Sequence, residues 1–185
     1  MSDFEEREKL PIQIFNATLE DVADIIAVQK ETWLSTYPNE EYGITTEDIL
    51  SKDWDNPDRL ARWQKTIVEG DGTSQIWVAK DGERVVGFCS AAREGNRNRN
   101  RIRAIYVLPE CQGRGIGKQL MQKAFSWLGD EKDTAVAVVK YNANAIDFYK
   151  KSGFQGEQEI PPSPAGQLPS GKLMPEIEML KPRKD

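Results

Sequence analysis

A glycine-rich bend constrains this chain's architecture more than any other segment. Residues 106–118 read Tyr-Val-Leu-Pro-Glu-Cys-Gln-Gly-Arg-Gly-Ile-Gly-Lys. An apolar strand ends at Pro109, a bend carries Gly113, Gly115 and Gly117, and a helix-period pattern follows. Glycine reaches positive φ without penalty and lets the backbone approach a ligand closely, so successive amide N–H groups can converge on one anion. The helix behind the bend aims its unsatisfied N–H groups and its positive dipole end at the same place, and Arg114 and Lys118 add full charges. The segment reads as a phosphate or pyrophosphate cradle set between a strand and a helix. The competing reading is a turn that only packs helix against sheet.

Spacing narrows the ligand. A dinucleotide fingerprint needs a third glycine three residues after the second, and those positions hold Lys118 or Leu120 in the two registers. A nucleotide-triphosphate loop needs glycine five residues before Gly117-Lys118 and then Ser or Thr; Gln112 and Gln119 stand there instead. The pattern that fits is Gln-x-x-Gly-x-Gly, spanning Gln112 to Gly117.

Around this bend the period of the apolar residues changes along the chain. A strand is expected over Ile12–Phe15. A helix follows from a Thr18 cap with Glu20-Asp21 in its first turn and runs to Tyr37-Pro38. Further helices are expected after Thr45/Thr46 and from Pro57 to Val68. Strands then follow at Gln75–Ala79, Arg84–Ala92 and Ile102–Leu108, with a turn at Asp81-Gly82 and a polar loop from Glu94 to Asn100. The rest alternates: helix Gly115–Leu128, strand Thr134–Val139, helix Asn142–Ser152, and short strands Phe154–Ile160 and Glu176–Leu180. This order predicts an α/β (α+β) mixed sheet with helices packed on it. At 185 residues one domain is expected over 11–182, behind a charged, solvated tail at 1–10.

The chain contains no histidine. That excludes serine–histidine and cysteine–histidine nucleophile pairs, paired-histidine zinc sites and any imidazole acid or base. Cys89 and Cys111 are too few for a disulfide framework or a four-cysteine zinc site, and no metal site is expected. No apolar run reaches the ~18 residues of a membrane span, the N-terminus lacks the apolar stretch of a signal peptide, and a cytoplasmic setting is the default. A net charge of −5 disfavours general nucleic-acid binding.

Two segments together resemble the GNAT superfamily of acetyl-CoA-dependent N-acetyltransferases. One is the bend with its preceding Tyr106-Val107-Leu108-Pro109; the other is Asn142-Ala143-Asn144-Ala145-Ile146-Asp147-Phe148-Tyr149-Lys150-Lys151-Ser152-Gly153-Phe154. The resemblance implies six to seven strands with a splayed central pair, acetyl-CoA as cosubstrate, and direct acetyl transfer to a primary amine without an acyl-enzyme. It also implies that the main chain of Ile105, Tyr106 and Val107 meets the pantetheine and acetyl carbonyl. The amides from Gln112 through Gly113, Arg114, Gly115, Ile116, Gly117 and Lys118 would take the pyrophosphate, Asn142 would bond the pantetheine, and Tyr149 would act as general acid. Pairing of domains through terminal strands is common in the family, so a homodimer is an expectation. A non-catalytic acyl-CoA sensor would need the same loop but not Tyr149.

Trp33, Tyr37, Glu40, Glu41 and Tyr42, with Asp53, Trp54 and Asp55, form two acidic–aromatic clusters suited to a cationic small-molecule or peptide amine; alternatively the aromatics are core and the acids solvated. Some family members carry a glutamate base on the fourth strand, where this chain has Arg101 and Arg103. Glu94, Glu40 and Glu41 could serve only through water or a fold-back. Arg97, Arg99, Arg101 and Arg103 alternate and would share one face of an extended strand, either as an anion-binding ladder or as a solvated hairpin tip.

Overall fold

The computed structural model describes residues 11–69, 72–95 and 98–184, so the expected tail and Arg97 lie outside the described residues. The chain order is β1 (Gln13–Asn16), α1 (Val22–Thr36), α2 (Thr46–Leu50), α3 (Pro57–Glu69), β2 (Ser74–Asp81), β3 (Arg84–Glu94), β4 (Arg99–Val107), α4 (Ile116–Leu128), β5 (Thr134–Val139), α5 (Ala143–Lys151), β6 (Gln155–Ile160) and β7 (Glu176–Lys181). Among the described residues seven strands make one sheet in the order β1-β2-β3-β4-β5-β7-β6. The β4–β5 pair is parallel and the other neighbours are antiparallel. Among these residues no helix is long and apolar enough to cross a membrane.

Local chemistry sets the element ends. Thr45 caps α2 reciprocally: its hydroxyl accepts from Asp48 N–H at 3.2 Å and its own N–H donates to the Asp48 carboxylate at 2.8 Å. At Thr18 the N–H and hydroxyl both donate to Asp21, and a 3-10 turn, Leu19–Asp21, precedes α1. Asp21 is nearly buried, which raises its pKa, yet Lys80 at 2.6 Å and Thr18 hold it below the ordinary range. The polar loop expected from Glu94 to Asn100 is shorter. Glu94 pairs with Arg99 in register, Arg93 with Asn100, and Asn98 turns the chain at φ 47°.

Strand pairing tells the two faces of the sheet apart. Trp77 pairs with Cys89 and Val78 with Phe88, so Trp77 and Phe88 point to opposite faces. Trp127 of α4 packs edge-on against Trp77, whereas Trp63 of α3 packs edge-on against Phe88. Helix α4 therefore covers one face, and α3 with α1 covers the other. The core runs through both layers: Ile25, Phe88, Ile102, Leu120 and Met179 are fully buried, each contributing about 1.5–3 kcal/mol of transfer free energy.

One irregularity opens the middle of the sheet. Ser90 pairs with Ala104 but Ala91 with Ile102, leaving Arg103 as an extra residue in β4. A bulge bends and twists its strand. Beyond it β4 and β5 part: they pair only from Asn100 to Ile102 against Thr134 to Val136, while β5 stays paired with β7 along its full length. Among the described residues, no strand lies beside the β5-facing edge of β4 from Arg103 to Val107.

Candidate active site

The parted strands open a cleft of about 910 Å³. Its walls include Ile105, Tyr106 and Val107 of β4, Val138 and Val139 of β5, the bend at 111–118, the first turns of α5, and the C-terminal end of α1. Backbone N–H and C=O groups left without a strand partner need other partners. An extended, amide-bearing chain inserted between β4 and β5 would supply them as an added strand does.

The bend holds the conformation its glycines permit. Gly113 and Gly115 both sit at φ 76°, and nothing lies within 4 Å of where a Cβ would be at either. Gly117 has another role: a Cβ there would lie 3.3 Å from Phe148, so it lets α4 approach α5. The first helical bond of α4 runs from Gln119 N–H to Gly115, so the N–H groups of Ile116, Gly117 and Lys118 precede any intrahelical partner. The Gln112 side chain donates to Val107 carbonyl at 3.0 Å and ties the bend to the strand end. Lys118 and Lys151 are exposed at the cleft wall. Arg114 does not line the cleft; its guanidinium sits 3.6 Å from Asp81.

Asn142 caps α5, its side-chain oxygen accepting from Ala145 N–H at 3.1 Å, which leaves its amide donors free of the cap. Tyr149 lines the same cleft but is 6% exposed, packed edge-on between Phe148 and Phe154. Burial, then the nearby Tyr106 and Cys89, push its pKa well above that of a free phenol. Tyr106 and Tyr37 are raised too, mainly by burial, and Glu176 adds to the shift at Tyr106. Cys111 is buried at the cleft wall, 4.0 Å from the Arg114 guanidinium.

On the acceptor side the two expected clusters come apart. Trp33, Tyr37 and Trp54 are buried and pack edge-on around Trp33, while Glu40, Glu41, Asp53 and Asp55 face solvent. Trp33 and Tyr37 nevertheless line the cleft. The arginine ladder is also altered. Arg99 donates to Glu178 at 2.9 Å, and Arg101 reaches Glu94 at 3.1 Å and Glu178 at 3.0 Å, all at low exposure. Arg103, displaced by the bulge, contacts Ser74, and Arg93 stacks on Trp127 at 4.2 Å. Arg99 and Arg101 are thus cross-strand ion pairs, not a solvated or anion-binding ladder, and Glu94 is committed to them.

Sequence reasoning missed Glu176. It opens β7, is 8% exposed, lines the cleft, and accepts from Ser163 N–H at 2.8 Å and Ser163 hydroxyl at 2.9 Å. The loop that clasps it is fixed to α2 and the segment after it. Lys172 reaches Asp48 at 2.7 Å, and Lys52 donates to Ala165 and Gln167 carbonyls while lying 5.0 Å from the Trp33 ring.

A parted parallel strand pair, a bend with unpartnered amides at a helix start and a buried phenol lie together around one cleft. The model of the Acetyltransferase (GNAT) family matches residues 27–154, and the chain belongs to that family, an N-acetyltransferase with acetyl-CoA as cosubstrate. The peptidyl-lysine N-acetyltransferase YjaB of Salmonella typhimurium is 28% identical over 118 residues, 62% of this chain and 72% of that protein. The fold matches PaiA N-acetyltransferase from Thermoplasma acidophilum, solved with coenzyme A, at TM-score 0.69 and 20% identity, covering 94% of this chain and 99% of that one. Ard1 from Thermoplasma volcanium matches at TM-score 0.66 and 19% identity over 94% and 99%.

Proposed function

We propose that residues 11–182 form a single domain that moves an acetyl group directly from acetyl-CoA to a primary amine of a small molecule or peptide. The observation that carries this reading is the unpaired β4 edge running into the cradle at 113–118. The pantetheine amides lie along Ile105 to Val107 with Asn142 assisting. The pyrophosphate takes the amides from Gly113 to Lys118, and Lys118 and Lys151 add charge at the mouth. Arg114 contributes its main chain, since its side chain is turned to Asp81.

The chain's residues hold the thioester while the amine attacks. An acceptor that enters as an ammonium first gives a proton to water, and the neutral nitrogen then attacks. The C–N bond forms, the C–S bond breaks with its electron pair leaving on sulfur, and the proton shed by the new amide nitrogen passes to water. A free phenol has a pKa of about 10, and burial raises that of Tyr149 further, so it stays protonated across the working pH range. Its pKa exceeds that of a thiol, so Tyr149 acts chiefly by donating a hydrogen bond to the developing thiolate. Proximity within the cleft supplies much of the remaining acceleration. Two free thiols, Cys89 and Cys111, fit a reducing cytoplasmic setting.

The test is release of free coenzyme A thiol from acetyl-CoA by the purified chain across a panel of amines. The reading expects amine-dependent release and an N-acetylated product by mass spectrometry. Tight acetyl-CoA binding with no release across the panel would instead mark a sensor.

A further inference from the structure

Resting on that reading, we propose that Glu176, clasped by Ser163, determines acceptor specificity: it selects an aliphatic ammonium and rejects amines with a carboxylate beside the nitrogen. Residues alternating along a strand share a face, so Glu176 lies on the same face of β7 as Glu178. Glu178 meets Arg101, which pairs with Ala92 and hence lies on the Phe88 face. Glu176 therefore approaches the cleft from the side covered by α1 and α3. The cradle leads into α4 on the opposite side. Glu176 thus stands on the opposite face of the sheet from the cradle.

The charges around it are unevenly matched. Arg99 and Arg101 are already shared between Glu94 and Glu178, two cations against two anions. Among the described residues no Lys or Arg bridges Glu176, whose two oxygens are held by the Ser163 N–H and hydroxyl. A buried carboxylate without a cation is costly, and each oxygen keeps a further acceptor site beyond its one bond to Ser163. An ammonium entering the cleft removes that cost, and the Tyr37 and Tyr106 rings that also line the cleft attract a cation through their faces. An acceptor carboxylate at the same place would meet like charge.

The loop keeps this carboxylate in position. Besides the Ser163 clasp, a Cβ on Gly166 would lie 2.8 Å from the Glu176 oxygen, so the loop backbone is packed directly on it. Ser163 is a positioning residue, acting through Glu176.

The experiment compares n-butylamine with norvaline, the same alkyl chain bearing an α-carboxylate. For wild type kcat/KM should favour butylamine strongly. Glu176→Gln should lower kcat/KM for butylamine about 30-fold or more, collapse the preference over norvaline, and leave acetyl-CoA Kd unchanged. Glu176→Asp should keep the preference at reduced rate, which separates charge from misfolding. Ser163→Ala should raise KM for butylamine more than it lowers kcat. An unchanged preference in folded Glu176→Gln would overturn the assignment. Should wild type release no thiol with any amine, the acetyl-transfer reading falls instead. Calorimetry of butylammonium binding to the coenzyme A complex then decides the subsite: weaker binding in Glu176→Gln supports it and equal binding overturns it.

Discussion

Replacing Gly115 by alanine isolates the conformational requirement of the cradle. Gly115 sits at φ 76° at the start of α4, and nothing lies within 4 Å of the added Cβ, so no clash contributes. Left-handed backbone costs an L-residue about 1–2 kcal/mol. That energy must appear in one of two places. If the bend keeps its shape, the folded state carries the strain and Tm falls by about 2–4 °C per kcal/mol for a chain of this size. If the bend relaxes out of the left-handed region, the amides lose their convergence and acetyl-CoA Kd rises, about ten-fold for each 1.4 kcal/mol. The two losses should sum to about 1–2 kcal/mol. Gly43→Ala, with φ 63° and equally open space but outside the cleft wall, should lower Tm alone. Calorimetric titration with acetyl-CoA and thermal melts measure both quantities. Unchanged Tm and unchanged Kd in Gly115→Ala would refute the requirement for a left-handed residue there.

Tyr149→Phe keeps the ring packed against Phe148 and Phe154, so acetyl-CoA Kd should hold within about three-fold while kcat falls by about 10²-fold or more; unchanged kcat rejects the role. Glu178→Gln leaves Arg99 and Arg101 sharing Glu94 alone and should cost about 1–3 kcal/mol in urea unfolding. Burial raises the Glu178 pKa, but Arg99 and Arg101 outweigh it and hold it below the ordinary carboxylate range. The stability it contributes is therefore full above about pH 4.3, the unfolded value, and is lost as pH falls through the lower folded one. The Glu178→Gln melt should lack that part of the acid loss. Replacing Lys118 and Lys151 together by glutamine should weaken acetyl-CoA binding a few-fold and flatten its salt dependence, read by titration at two ionic strengths.

The left-handed bend was legible in the sequence because its constraint is local: glycines at 113 and 115 answer a backbone requirement that only a few neighbouring residues set. Helix ends were legible for the same reason, through Thr18 with Asp21 and Thr45 with Asp48. The parting of β4 from β5 was reached only through family resemblance, since the bulge at Arg103 that accompanies it is a matter of register between strands. That bulge also explains the arginine ladder. Alternation correctly places Arg99 and Arg101 on one face, but Arg103 falls out of step, and the acids that neutralise the pair come from Glu94 and the distant Glu178. Glu176 left little local signal: Glu176 and Glu178 alternate with Ile177 and Met179, which are buried, and that pattern alone reads as one solvated and one buried face. Its meaning depended on Ser163 and on α1, both far away in sequence.

Amide hydrogen exchange with and without acetyl-CoA reads the β4 edge and the cradle residue by residue. Bound acetyl-CoA should add protection at Ile105–Val107 and at Gly113–Lys118, with β6 and β1 at the ends of the sheet unchanged. Saturating acetyl-CoA with no added protection at those two segments would contradict that binding mode.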